Sequence, residues 1–315
     1  MPQIIVEMCQ NYNGDREILR KMIHAACEAG AEYAKIQTIH SDYLTKRPEF
    51  EDGRIEDGMV KVIKRPYQPE YERLKAMDID MEDHRWFIEE CHRAGIKAMT
   101  TVFTRGAVKE LDQMDWDAVK VASYDCASFP LLRDLRDNFG RIFVSTGATY
   151  NDEIKEAARV LNGVDFTFLH CVTIYPTPLE KLQLNRIDYL KSFTSKVGFS
   201  DHTLVARDGI KASVAALLKG ASVIERHFTV LDSTQTKDGP VSITPDMLKQ
   251  LVNLSNLEFA ELELYVKQNI PEFEQMLGDD QHDLSHEELL NRNYYRGRFA
   301  TKHSDGKFVY NWEEK

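Results

Sequence analysis

The chain carries no run of about 18 apolar residues, no C-x-x-C pair and no excess of basic residues. The first absence excludes a membrane-spanning helix, and the second excludes the usual thiol-paired zinc and redox motifs. The third is a matter of sign: 40 Lys and Arg against 51 Asp and Glu leave a net charge of −11. Nonspecific nucleic-acid or anionic-membrane binding needs a basic face, which such a balance does not supply, although a local basic pocket for a small anion is compatible with it. No Walker loop, dinucleotide glycine fingerprint, G-x-S-x-G elbow or H-E-x-x-H occurs. The five cysteines, Cys9, Cys27, Cys91, Cys126 and Cys171, are odd in number and widely spaced, so they read as reduced core filler. Met1 runs into Ile4-Ile5-Val6 without a basic n-region or cleavage site, and the expected location is the cytoplasm.

What is present is alternation. Short β-branched runs, polar breaks and stretches of helical spacing repeat to about residue 270. Strands are expected at Ile4–Cys9, Tyr33–Gln37, Lys97–Val102, Ala118–Val121, Arg141–Ser145, Phe166–Cys171, Lys196–Ser200 and Val223–Phe228. Amphipathic stretches such as Glu17–Ala29 and Glu82–Ala94 lie between them, and Gly30, Gly95 and Gly220 sit where helices end in a left-handed residue. Eight strand–helix units over roughly 250 residues predict an α/β fold, a (β/α)8 TIM barrel, with a doubly wound open sheet as the competitor. The barrel domain is expected over 1–270 and a short C-terminal extension over 271–315. Within the extension, 271–286 reads as an acidic linker and 291–315 as a tail packing on the barrel or a partner subunit. Residues 39–80, charged and containing Pro48, Pro66 and Pro69, read as a loop over the end of the second strand.

In a parallel barrel, reactive groups lie at the C-terminal ends of the strands. Those ends offer Glu7, Lys35, Gln37, Thr100, Thr101, Lys120, Ser123, Asp125, Ser145, Thr146, His170, Thr173, Tyr175, Ser200, Asp201, His202, Glu225, Arg226 and His227. Lys35 and Lys120 interrupt apolar strands, and a buried ammonium needs an anion. That anion is either a protein carboxylate (Glu7, Asp125 or Glu225) or a phosphate or carboxylate ligand bound with the hydroxyls of Ser123, Ser145 and Ser200. His202 and His227 end adjacent strands beside Asp201 and Glu225, a pattern that suits two imidazole ligands of one divalent metal oriented by neighbouring acids. Mn²⁺, Mg²⁺ or Co²⁺ fits this set better than structural Zn²⁺. Tyr67, Tyr71, Tyr294 and Tyr295 suit sugar stacking or ordinary packing equally.

Read in order, Val6-Glu7-Met8-Cys9-Gln10-Asn11-Tyr12-Asn13-Gly14-Asp15, Ala34-Lys35-Ile36-Gln37-Thr38, Val144-Ser145-Thr146-Gly147, Leu169-His170-Cys171, Ile174-Tyr175-Pro176-Thr177-Pro178, Gly198-Phe199-Ser200-Asp201-His202-Thr203 and Ile224-Glu225-Arg226-His227-Phe228-Thr229 resemble the sialic acid synthase family, which includes legionaminate and pseudaminate synthases. The resemblance implies a metal-dependent condensation of phosphoenolpyruvate with an open-chain amino or deoxy sugar, giving a nonulosonic 2-keto-3-deoxy acid and phosphate. It implies a divalent metal, Mn²⁺ ahead of Mg²⁺ or Co²⁺, on His202 and His227. It assigns Lys35, Thr101, Lys120, Ser123, Ser145, Thr173 and Ser200 to phosphoenolpyruvate. Glu7, Gln37 and Tyr175 then face the sugar and the reacting carbons, and the catalytic set is Glu7, Lys35, Lys120, Gln37 and Tyr175. Glu7 is the candidate to stabilise or deprotonate at C2, with metal-held water as the alternative. The family also implies a homodimer.

The departures from the family pattern are specific. Thr173 replaces a ligand-holding Asn, Gly239-Pro240-Val241 replaces Gly-Pro-Asp and so removes an acceptor-facing carboxylate, and the C-terminal antifreeze-like domain is reduced to an entry segment around Arg296–Lys302. Arg65, Arg73, Arg296 and Arg298 are the available substitutes for that domain's arginine, and the 39–80 loop or the tail is expected to close the site. Two other readings stay open. A keto-deoxy-sugar phosphate synthase would need a second phosphate site, for which the sequence displays no dedicated Arg/Lys cluster; a noncatalytic sugar-binding barrel would not need the retained residues.

Overall fold

A computed structural model describes residues 1–280 and 283–314; Gln281 and His282 of the linker-like segment, and Lys315 of the tail, lie outside the described residues. Eight parallel strands close into a barrel: β1 (Gln3–Glu7), β2 (Tyr33–Thr38), β3 (Lys97–Val102), β4 (Ala118–Val121), β5 (Arg141–Ser145), β6 (Asp165–His170), β7 (Val197–Asp201) and β8 (Val223–His227). Closure comes from β1 pairing with both β2 and β8, which removes the open-sheet alternative. Strands β3, β4 and β5 coincide with the sequence expectation. β1 ends two residues early because the chain turns there, with Cys9 at φ +37°.

The two-residue period of the strands sorts their side chains. Ile5, Tyr33, Met99, Ala118, Phe143, Leu169 and Val223 point inward and form an apolar plug. Two residues further along the same strands, Glu7, Lys35, Thr101, Lys120, Ser145 and Glu225 form the next layer, so the polar residues stack on the plug at the C-terminal mouth. The opposite parity, for example Ile4, Val6, Ala34, Ile36, Val119, Ile142, Val144, Phe199 and Ile224, packs against the helices in the main core. Glycine is required at 198, where a Cβ would lie 2.4 Å from the Val223 carbonyl.

The helices obey their end signals. Asp15 caps Arg16–Glu28 by accepting from the Glu17 and Ile18 amides, Asp80 and Asp83 form a capping box at Met81–Ala94, and Gly95 follows at φ +91°. Among the described residues no helix is long and apolar enough to cross a membrane.

The segment expected as a loop over 39–80 has structure of its own: a hairpin of Arg54–Glu56 with Met59–Val62, and a helix over Tyr67–Lys75. It packs against the tail rather than standing free. Phe299 joins Ile39, Leu44 and Leu74 in a small apolar cluster, Phe50 meets Tyr294 edge to face, and the Thr45 hydroxyl donates to the Gly297 carbonyl at 2.6 Å. After the barrel, Phe273–Leu277 forms a short helix whose Met276 is buried. His286–Tyr295 follows, pinned by Arg292 on Glu153. Asn311 then donates to the Phe103 carbonyl and to Asp125, so the tail lies across the mouth of its own barrel.

Candidate active site

The mouth encloses a cavity of about 320 Å³, in the range of small-molecule sites. At its floor two lysines and two glutamates interlock. Lys35 contacts Glu7 directly, donates to the Thr101 hydroxyl at 2.9 Å and lies 3.7 Å from Glu225. Lys120 donates to Glu225 at 3.0 Å, and the Ser200 hydroxyl donates to the same carboxylate oxygen at 2.7 Å. Burial draws the Lys35 ammonium down to about 7 against the pull of Glu225. Burial works the other way on Glu225, yet Lys120, Lys35 and the Ser200 hydrogen bond together hold its carboxyl well below the usual range. The two possibilities for the strand lysines therefore coexist: they have carboxylate partners and also line an open cavity. The Ser145 hydroxyl is buried there without a partner among the described residues, leaving a donor for ligand oxygens.

The metal expectation can be tested against the donors on one wall. The His202 and His227 rings meet edge to face with centroids 5.4 Å apart, and His202 Nδ1 is buried without a partner among the described residues. Burial favours neutral imidazoles at both positions, against the pull of Asp238 on His227 and of Glu225 on His202. Beside them, ligand atoms of Cys9, His227 and Asp238 lie within 4.8 Å of one another. Imidazole, carboxylate and thiol donors converging at one wall fit a divalent ion. The expectation that Asp201 and Glu225 orient these histidines is corrected. Asp201 is on the outward parity and pairs with Arg226, both fully buried, while Glu225 is taken up by the lysines. Tyr175 instead reaches His202, its hydroxyl 3.1 Å from Nε2. His170 turns away, its Nε2 2.7 Å from the Leu182 carbonyl.

Eleven of the twelve residues assigned from sequence line the cavity: Glu7, Lys35, Gln37, Thr101, Lys120, Ser123, Ser145, Tyr175, Ser200, His202 and His227. Thr173 does not. Its methyl packs where a side chain at Gly147 would stand, and its carbonyl accepts from Asn291 of the tail helix. Cys9 is no plain core filler, since its Sγ lies 3.6 Å from His227 Nδ1 and 3.2 Å from Asp238 Oδ2. Nor does the loop after β8 lack a carboxylate, because Asp238, three residues before Val241, lines the cavity. Of the four tyrosines offered for sugar stacking, Tyr295 lines the wall, stacked on Tyr124 with ring centroids 4.7 Å apart, and Tyr67, Tyr71 and Tyr294 do not.

The rim gathers three of the arginines named from sequence with a lysine that was not. Arg65, Arg73, Lys237 and Arg298 all line the cavity, a grouping of basic side chains that the sequence does not display. Arg73 and Arg298 share one carboxylate, Glu70, which they and Lys237 hold at about 2 despite its burial. Lys237 has no ion-pair partner among the described residues, and Arg298 Nε is buried without one. These four residues are spread from 65 to 298, and no local spacing links them. Of the four substitutes named from sequence, Arg296 alone is off the wall, beside Glu153 and Trp312.

The NeuB family model matches residues 22–263. Pseudaminic acid synthase of Campylobacter jejuni is 31% identical over 303 residues, covering 95% of this chain and 81% of its own length. Human N-acetylneuraminate-9-phosphate synthase is 28% identical over 279 residues, covering 85% and 73%. The crystal structure of the Bacillus subtilis spore coat polysaccharide biosynthesis protein spsE superposes with a TM-score of 0.72 at 26% identity, covering 93% of this chain and 77% of that one.

Proposed function

The chain belongs to the NeuB family of sialic-acid-type synthases, and from that premise we propose that it is a divalent-metal-dependent synthase condensing phosphoenolpyruvate with an open-chain amino or deoxy sugar. The observation that carries this reading is the convergence of Lys35 and Lys120 with the hydroxyls of Thr101, Ser123, Ser145 and Ser200 on one cavity. Charge-assisted donors of this kind match the carboxylate and phosphate of phosphoenolpyruvate. Mn²⁺ is the proposed ion, with Mg²⁺ or Co²⁺ as alternatives, held by His202 and His227. When bound it supplies a Lewis acid to polarise the acceptor aldehyde. A homodimer and a cytoplasmic location belong to the same reading.

Overall, C3 of the enol attacks the aldehyde carbon, water adds at C2, and the C2–O bond to phosphate breaks, leaving a 2-keto acid and free phosphate. The chain's own residues divide this work. Lys35 and Lys120 neutralise the bound anion, and the serine hydroxyls fix its orientation. Glu7 presents a carboxylate against Lys35 at the cavity floor, where it can stabilise positive charge at C2 or take a proton from the incoming water. The Lys35 ammonium, drawn down to about 7, is poised to hold or release a proton beside it. Gln37 and Tyr175 face the sugar side of the cavity, and the tail with the 39–80 segment shields the reacting carbons from bulk water.

A second reading of the acceptor is favoured by the rim. Four cations around Glu70 and Asp238 leave an excess of positive charge in a chain of net charge −11, which suits an acceptor bearing its own phosphate or carboxylate. The product in the human relative's name is a 9-phosphate, a chemistry of this class.

The test is phosphate release from phosphoenolpyruvate with Mn²⁺, across N-acetylmannosamine, mannose, diacetamido-trideoxyhexoses and simple aldoses, each also as its phosphate ester where available, with His202→Ala as control. Release with one acceptor, abolished in the control, establishes the synthase and selects the sugar. Silence across the panel would favour a barrel that only binds.

A further inference from the structure

Cys9 occupies an unusual place for a thiol. It follows β1 in the left-handed region at φ +37°, a conformation that costs a non-glycine residue about 1 kcal/mol or more. From there the buried side chain turns to the metal wall, 3.2 Å from Asp238 Oδ2 and 3.6 Å from His227 Nδ1. No lysine or arginine among the described residues pairs with Asp238, and its side-chain partner is the Cys9 thiol, a weak donor for a half-buried carboxylate. His202 stands across from His227, its Nδ1 without a partner among the described residues. The left-handed turn at Cys9 thus brings a thiol, an imidazole and a carboxylate within 4.8 Å of one another at this wall.

We propose that Cys9 and Asp238 join His227 as ligands of the divalent ion, giving this chain a thiolate-bearing centre. This deepens the metal-dependent reading above and rests on it. A sulfur donor beside imidazole and carboxylate shifts the preference from hard Mg²⁺ to borderline transition ions such as Co²⁺, Fe²⁺ or Zn²⁺. Binding replaces the S–H bond by an S–metal bond, and the thiol proton passes to solvent.

The experiment uses the full chain, stripped with chelator and titrated with Co²⁺ while the absorption spectrum is recorded. The wild type is expected to develop an intense near-ultraviolet thiolate-to-cobalt charge-transfer band and to release a proton on loading. Zn²⁺ should abolish the band and Mg²⁺ should leave it. Cys9→Ser should lose the band and bind Co²⁺ at least about tenfold more weakly, while weaker visible bands of histidine-bound Co²⁺ persist. Asp238→Asn should keep the charge-transfer band and alter the visible bands. Cys9→Gly relieves the left-handed backbone, so loss of the band in that variant, with an unchanged melting temperature, separates ligation from folding. Identical spectra for the wild type and Cys9→Ser would overturn the proposal and leave the histidine metal site standing. No Co²⁺ spectrum in any variant, the wild type included, would overturn both.

Discussion

Glu225→Gln probes the electrostatics of the cavity floor with the least change in shape. Glu225 bridges Lys120 at 3.0 Å and Lys35 at 3.7 Å while accepting from Ser200, and all four groups are buried. Removing one partner of a buried ion pair costs about 3–5 kcal/mol, because the surviving charge has no counter-ion. Here Lys35 keeps Glu7, so the loss falls on Lys120 and the lower end, about 3 kcal/mol, applies. At ~2–4 °C per kcal/mol for a chain of this order of size, the melting temperature should fall by roughly 6–12 °C. Phosphoenolpyruvate supplies the missing negative charge, so it should raise the melting temperature of Glu225→Gln more than that of the wild type. Adding Lys120→Met should recover much of the loss, since removing both partners of a buried pair is far cheaper than removing one. The assay is thermal unfolding followed by circular dichroism, with and without phosphoenolpyruvate. A variant that melts within 2 °C of the wild type, or that gains no extra stabilisation from phosphoenolpyruvate, would refute this account of the lysine layer.

Other outcomes follow from neighbouring groups. Lys35, drawn down to about 7, must be charged to meet an anion, so phosphoenolpyruvate should bind with proton uptake above pH 7 and weaken about tenfold per pH unit there; calorimetry in buffers of different ionisation heat reads the proton directly. On the stability side, the unfolded chain holds that proton up to about 10.5, so Lys35 alone makes stability rise with pH between about 7 and about 10.5. Asp125 is the opposite case. Burial raises its carboxyl to about 6 although Asn311 and Ser128 donate to it, so its charged form weakens the fold as pH rises from about 4 to about 6. Asp125→Asn keeps an acceptor oxygen for both donors and should therefore melt at or above the wild-type temperature at pH 7; a clear loss at pH 7 would contradict it. Arg298→Ala should raise KM for a phosphorylated acceptor by about 10–100-fold, the worth of a charged hydrogen bond, while leaving KM for phosphoenolpyruvate little changed in steady-state assays.

The parts of the site that were legible in the sequence lie on strands. A strand fixes side-chain direction with a period of two, so a lysine two residues beyond Tyr33 or Ala118 must share that residue's face, and the C-terminal end of a parallel barrel is where such residues meet a ligand. Lys35, Lys120, Thr101, Ser145, Ser200, His202 and His227 follow this rule. Parity also explains one error. Asp201 and Arg226 are one residue out of step with Ser200, His202, Glu225 and His227, and they turn outward to pair with each other between sheet and helices. Thr173 escaped the rule because it lies past the end of β6, where the tail helix rather than a strand sets its orientation.

Local order was thus determined by the sequence alone: the eight strands, the capped helices between them, the apolar plug and the polar layer two residues above it. Each of these depends on periodicity and on end signals that act over a few residues. The rim cluster of Arg65, Arg73, Lys237 and Arg298, the approach of Cys9 to Asp238, and the tail folding back over its own barrel were decided only by the tertiary structure. Those contacts join residues far apart in the chain, 252 positions in the case of Thr45 and Gly297, and are made largely by loops whose paths no short-range rule fixes. They form because closing the barrel brings the ends of all eight strands, and the segments that follow them, to one mouth.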